Sequence, residues 1–173
     1  MLRFTLKSPV EKGFTLIELL LYTVIVGSLL IAIVAFYGMA SAARVKNQSI
    51  SEVNQQGVAA MAMMMQTIRN ANSVTTPATG ATDTSLTLTV PTASLSPTTF
   101  SVNGSVLQVI EGSGAAVALT NDKVQVTNLT VKNLTRGSNA HVQVSVTLSR
   151  TNPDSQGEFT YQKTFTASAE VQW

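Results

Sequence analysis

Glu18 is the ionisable side chain in the most demanding setting of this chain, standing immediately before Leu19, the first of 25 uncharged residues that end at Ala43. A carboxylate carried into a bilayer costs about 2.5–3.5 kcal/mol at a helix centre and less near an end, so by default it marks a functional site with a partner. Two plainer placements stay open. The carboxylate can reach back to the headgroups, or it can sit in the first turn of a helix, where the macrodipole favours an acid. The remaining candidates are weaker. His141 is the single histidine and lies in the alternating run His-Val-Gln-Val-Ser-Val. That run puts it on the solvent face of a strand, with no second histidine to share a metal. Asp122 and Asp154 stand beside turn residues, where an aspartate ordinarily caps its own backbone rather than binding calcium. Asn-x-Ser/Thr triplets at Asn47, Asn103, Asn128 and Asn133 are expected by chance in so Ser- and Thr-rich a chain, and Asn128 falls inside a strand pattern. The absence of cysteine excludes disulfides, thiolate zinc sites and a cysteine nucleophile. No Gly-rich phosphate loop, Gly-x-Ser-x-Gly elbow or His-Glu-x-x-His is present. The sequence therefore reads as non-enzymatic, without cofactor or metal.

The elements that carry Glu18 follow from composition. Charged residues make up 12% of 173 positions, about half the ~25% of an average soluble domain, which points to a membrane or assembly partner. Residues 1–13 carry Arg3, Lys7 and Lys12 against Glu11 and so account for the whole formal net charge of +2. The basic pI therefore belongs to this segment, and a nucleic-acid surface is not indicated. As a helix, Leu19 to Ala43 would run ~38 Å against a hydrocarbon core of ~30 Å, enough to span it. A secretory signal is the alternative, with Ala40-Ser41-Ala42 as its cleavage site, but its apolar stretch is usually only ~7–15 residues. Because basic residues precede the span, residues 1–13 are expected on the cytoplasmic side and the remainder outside; Arg44 and Lys46 weaken this contrast without reversing it.

The string Lys12-Gly13-Phe14-Thr15-Leu16-Ile17-Glu18-Leu19-Leu20 resembles the processing motif of type IV pilins and type II secretion pseudopilins, with the basic leader and apolar helix in the family's places. The resemblance covers residues 1–43 closely. It implies that a prepilin peptidase cuts between Gly13 and Phe14 on the cytoplasmic side and methylates the new amino terminus of Phe14. It also implies that Glu18 pairs in the filament with the α-amine of Phe14, in its own or a neighbouring subunit, and fixes axial register. A carboxylate and an ammonium brought together in a low-dielectric core offset each other's desolvation. A residue without Cβ at position 13 lets a protease close on extended backbone. The implied partners are other pilin subunits and an inner-membrane platform with its ATPase; nucleic acid enters only if the filament takes up DNA. Two departures, Ala35 where many major pilins carry a kinking proline and the missing C-terminal cysteine pair, lean toward a minor pilin or pseudopilin. Gly27 and Gly38 remain weak points of the helix.

Beyond Arg44 an apolar stripe at Val45, Ser49, Val53, Val58, Met61, Met65 and Ile68 predicts that the helix continues in amphipathic form over 44–72, stopped by Asn70, Asn72 and Pro77. Met61, Met63, Met64 and Met65 are expected in its packed core. Residues 73–82, rich in Ser, Thr, Ala and Gly, read as a linker. Over 83–173 alternation predicts strands at Leu86–Val90, Val124–Val131, His141–Leu148 and Phe159–Phe165, a short one near Glu170–Trp173, and a hairpin turning on Asn103-Gly104. The expected fold class is α+β: a leader at 1–13, a membrane or filament-core helix at 14–43, its amphipathic continuation, and an antiparallel sheet laid on that continuation. Two functions fit. One is a pilin-like structural subunit of a type IV pilus, secretion pseudopilus or DNA-uptake filament. The other is a single-pass anchored β-domain that binds a ligand or acts as an enzyme, and it requires no cleavage after Gly13.

Overall fold

The structure, a computed structural model, describes residues 13–137, 140–151 and 160–171. Residues 1–12 of the expected leader, Asp154, Phe159 and Trp173 lie outside the described residues. Two compact units are present, Met1–Ala42 and Ala43–Trp173. The chain is α+β: among the described residues there are one α-helix, α1 (Leu16–Arg69), and nine strands.

In the first unit α1 is apolar on every side, and Leu19, Ile31 and Phe36 are all exposed. It is long and apolar enough to cross a membrane. In the second unit α1 buries Ser49, Val53, Gly57, Ala60, Met61, Met64, Met65 and Ile68. Their spacing keeps one face turned inward at 3.6 residues per turn. Val58, placed in the stripe by its sequence, is instead 61% exposed. The step of five from Val53 overshoots that face by ~140°, and Gly57, four residues on, takes the buried place. Of the four methionines only Met63 faces outward. The helix ends at Arg69 rather than at position 72, because the Asn72 N–H already bonds to the Thr89 carbonyl at 2.7 Å and the chain has entered the sheet.

The strands are β1 (Ser73–Thr76), β2 (Thr82–Asp83), β3 (Leu86–Thr89), β4 (Thr98–Asn103), β5 (Val106–Glu111), β6 (Val117–Ala118), β7 (Val124–Asn133), β8 (His141–Arg150) and β9 (Gln162–Glu170). They form two antiparallel sheets where one was expected, ordered β1-β3-β4-β5-β6 and β2-β7-β8-β9. The sheets meet where the Val126 N–H bonds to the Ser105 carbonyl at 2.8 Å. Both line one core with α1, built on Phe100, Met64, Ile68, Leu88, Val144 and Leu148.

Residues 73–82, read as a linker, hold β1 and the start of β2. Ser and Thr suit the half-exposed face of an edge strand, and Asn133 anchors the intervening turn. Its Nδ2 donates to the Pro77 carbonyl at 2.8 Å, while its backbone exchanges bonds with Gly80 and Ala81. The hairpin turns on Gly104-Ser105, one residue later than expected, with φ of 58° and 83°. That register pairs Phe100 with Val109 and Val102 with Leu107; turning on Asn103-Gly104 would set Val102 against Ser105 instead. β7 carries a bulge between Val126 and Asn128. Inward residues are even-numbered before it and odd-numbered after it, so Val124, Val126, Leu129 and Val131 all reach the core. The tail forms one continuous strand, β9, through Glu170, rather than two.

Candidate functional site at the helix N-terminus

Thr15 closes the first turn of α1. Its Oγ1 accepts the Glu18 N–H at 3.3 Å and donates toward Glu18 Oε2 at 3.5 Å, and its carbonyl accepts the N–H groups of Glu18 and Leu19, each at 3.1 Å. Thr15 is therefore the N-cap and Glu18 the third helical residue, the Thr-x-x-Glu pattern of a capping box. An acid there also faces the positive end of the helix. The sequence had assigned nothing to Thr15, although the Thr-x-x-Glu spacing carried that signal.

Phe14 is 73% exposed, and its ring meets Tyr22 edge-on with centroids 6.1 Å apart and planes at 65°. Gly13 has open space where a Cβ would stand and no left-handed φ, so neither packing nor backbone conformation demands glycine there. Gly13, Phe14 and Glu18 are thus gathered within six consecutive residues at the start of an uncovered apolar helix.

Elsewhere the described candidates lie in turns and strands. His141 opens β8 opposite Glu170, half-buried as the alternation predicts. The turn before β7 is capped by Asn121, whose Oδ1 accepts the Lys123 N–H at 3.0 Å. Asp122 contributes its carbonyl, to Thr151 Oγ1 at 2.9 Å, so the cap assigned to Asp122 belongs to its neighbour. Asn133 is buried and committed to Pro77, which excludes it as a glycan acceptor in the folded chain. Among the described residues no three His, Cys, Asp or Glu side chains gather as a metal site.

A polar cluster missed by sequence ties α1 to that same turn. Glu52 Oε1 accepts from Gln56 Nε2 at 2.7 Å and from Asn121 Nδ2 at 3.0 Å, and Gln56 Oε1 accepts the Asn121 N–H at 2.9 Å. The bond from Asn121, then that from Gln56, hold the Glu52 carboxyl below its ordinary value; burial opposes them, and the charges of Lys123 and Arg150 assist. The contact spans 65 residues of sequence or more, which no local pattern announces. No protein-family model, no curated protein and no solved structure matches this chain.

Proposed function

We propose that the chain is a pilin-like structural subunit, of the minor pilin or pseudopilin kind, whose activity is polymerisation and not catalysis. A prepilin peptidase removes residues 1–13 by cutting between Gly13 and Phe14 and methylates the Phe14 amine. Residues 14–43 hold the subunit in the inner membrane with its amino terminus cytoplasmic and the β-domain outside. An inner-membrane platform and its ATPase then pass it into an extracytoplasmic filament: a type IV pilus, a type II secretion pseudopilus or a DNA-uptake filament.

One juxtaposition carries this reading. A glycine that the fold does not need precedes by five residues a carboxylate set in the first helical turn, and the turns that follow are apolar and exposed. Cleavage would place an ammonium at Phe14, beside the positive end of the macrodipole, where a cation is disfavoured. Glu18 is the nearest acid along the chain after the cut, and pairing the two leaves neither charge alone in an apolar filament core.

Intact-mass and N-terminal analysis of the protein from membranes with and without active prepilin peptidase tests the proposal. The expected product begins at methylated Phe14 only where the peptidase is active. A chain still beginning at Met1, or cut near Ala42, would refute it and leave the anchored or secreted β-domain as the better reading.

A further inference from the structure

A carboxamide and a backbone nitrogen stand uncommitted at the tip of the β4–β5 hairpin. Asn103 pairs with Val106 across the two-residue turn Gly104-Ser105, and residues 103–105 are all exposed. Among the described residues the Gly104 N–H donates to nothing and the Asn103 side chain has no hydrogen-bond partner. Asn103 is also the one asparagine in the chain that is followed by glycine.

Other asparagines lack this combination. Asn121 and Asn128 commit their side chains to Glu52 at 3.0 Å and to Thr130 at 3.2 Å, and Asn133 is buried against Pro77. Each is followed by a residue with a Cβ, namely Asp122, Leu129 and Leu134. Gly104 has none, so its nitrogen can come close to a neighbouring group, and the space around it is open. Asparagine is among the thermally labile residues, and exposed tips are where the chain tolerates change.

We propose that Asn103 is a site of self-modification in the folded chain. The Gly104 nitrogen gives its proton to solvent hydroxide and attacks the side-chain carbonyl carbon of Asn103. A C–N bond to Gly104 forms, the carboxamide C–N bond breaks, and the leaving amine takes a proton from water and departs as ammonia. The five-membered succinimide that results then adds water. Addition at the side-chain carbonyl restores the main chain and leaves aspartate. Addition at the main-chain carbonyl leaves isoaspartate, whose chain runs on through Cγ. Aspartate keeps the backbone and adds one negative charge. Isoaspartate lengthens the main chain by one carbon, which undoes the pairing of Asn103 with Val106. It also draws the Ser105 carbonyl off the Val126 N–H, the 2.8 Å bond at which the two sheets meet. Loss of ammonia makes the change irreversible, and the chemistry consumes water alone, so it holds whether or not the chain enters a filament.

The test incubates folded full-length protein in detergent in heavy-oxygen water, then unfolds and digests it in ordinary water at mildly acidic pH. The peptide holding residue 103 is expected to exchange its amide for a carboxyl bearing the heavy oxygen and to separate into aspartate and isoaspartate isomers. Conversion should quicken as the incubation pH rises. Asn103→Gln, whose ring closure needs six members, is expected to lose the signal and keep the wild-type near-UV spectrum. Copies carrying isoaspartate should unfold at lower denaturant than the rest. No labelled carboxyl at residue 103, label that appears only when the chain is incubated unfolded, or earlier conversion of another asparagine would each overturn the proposal. Isoaspartate copies that unfold together with the rest would overturn the loss of pairing at the turn.

Discussion

Replacing Glu18 by glutamine separates the two roles that its position allows. In the folded chain Thr15 Oγ1 caps the Glu18 N–H and reaches toward the Glu18 carboxylate, and glutamine offers an acceptor at that position as glutamate does. Glu18→Gln therefore removes the charge and keeps a side-chain acceptor for Thr15 Oγ1, Thr15→Ala removes the cap and keeps the charge, and Glu18→Ala removes charge and acceptor while its backbone N–H still caps on Thr15. Loss of an N-cap costs about 1 kcal/mol, spent as fraying of one helix end. Removing one member of a desolvated ion pair costs ~3–5 kcal/mol, because the other charge is left uncompensated. At ~1.4 kcal/mol per decade that is a loss of roughly a hundred- to several-thousand-fold in the equilibrium for adding a subunit.

The expected order in a sheared-filament or pseudopilus incorporation assay is thus wild type close to Thr15→Ala, with Glu18→Gln and Glu18→Ala together far below. Membrane insertion and Gly13 cleavage should be unchanged in all four, measured as the membrane-bound fraction and the mature amino terminus. If Glu18→Gln assembles like wild type, the charge is not what assembly needs and the pairing argument is wrong.

Three further outcomes follow from the β-domain. Gly57→Ala should gain about 1 kcal/mol of helix propensity and lose about 1–3 kcal/mol by overpacking against the Phe165 ring. A lower unfolding midpoint is expected in detergent, restored in the Gly57→Ala/Phe165→Leu double variant; a higher midpoint in the single variant would mean the ring is not fixed over Gly57. Glu52 has a folded pKa below its unfolded value, so its contribution to stability is present above the ordinary value of ~4.3 and is lost as pH falls below that. Denaturant titrations should show that loss as pH falls below the ordinary glutamate value in wild type and a flatter profile in Glu52→Gln; identical profiles would remove Glu52 from the account. Asn133→Ala strands the buried Pro77 carbonyl and should cost ~1–3 kcal/mol, read as faster limited proteolysis within residues 77–81. Unchanged cleavage there would show that strand pairing alone holds the segment.

What the sequence disclosed and what it hid divide along the range of the interactions concerned. The apolar span, the amphipathic continuation and the long strands β7 and β8 are set by side-chain periods of 3.6 and 2, which are local and need no partner to be seen. Gly57 was invisible because its meaning lies in Phe165, more than a hundred residues away. Strand β1 was hidden for a related reason: a Ser/Thr segment becomes an edge strand only when β3 offers a ladder, and its β-propensity is mainly a statement about neighbours.

The hairpin shows the same division at the scale of one residue. Asn103-Gly104 is the stronger local turn signal, yet the chain turns on Gly104-Ser105 and accepts a left-handed Ser105 with φ of 83°. Such a conformation costs a non-glycine residue about 1–2 kcal/mol. The gain is a register in which Val102 meets Leu107 rather than Ser105. Burying one more apolar cross-strand pair is worth a comparable amount, since ~0.8 kcal/mol accompanies each CH₂ removed from water. Tertiary packing therefore overrides a turn preference of similar size. The helix N-terminus has no such competitor: Thr15 and Glu18 are three residues apart, they meet through the helix's own geometry, and the site they form is legible from the chain before anything else has folded.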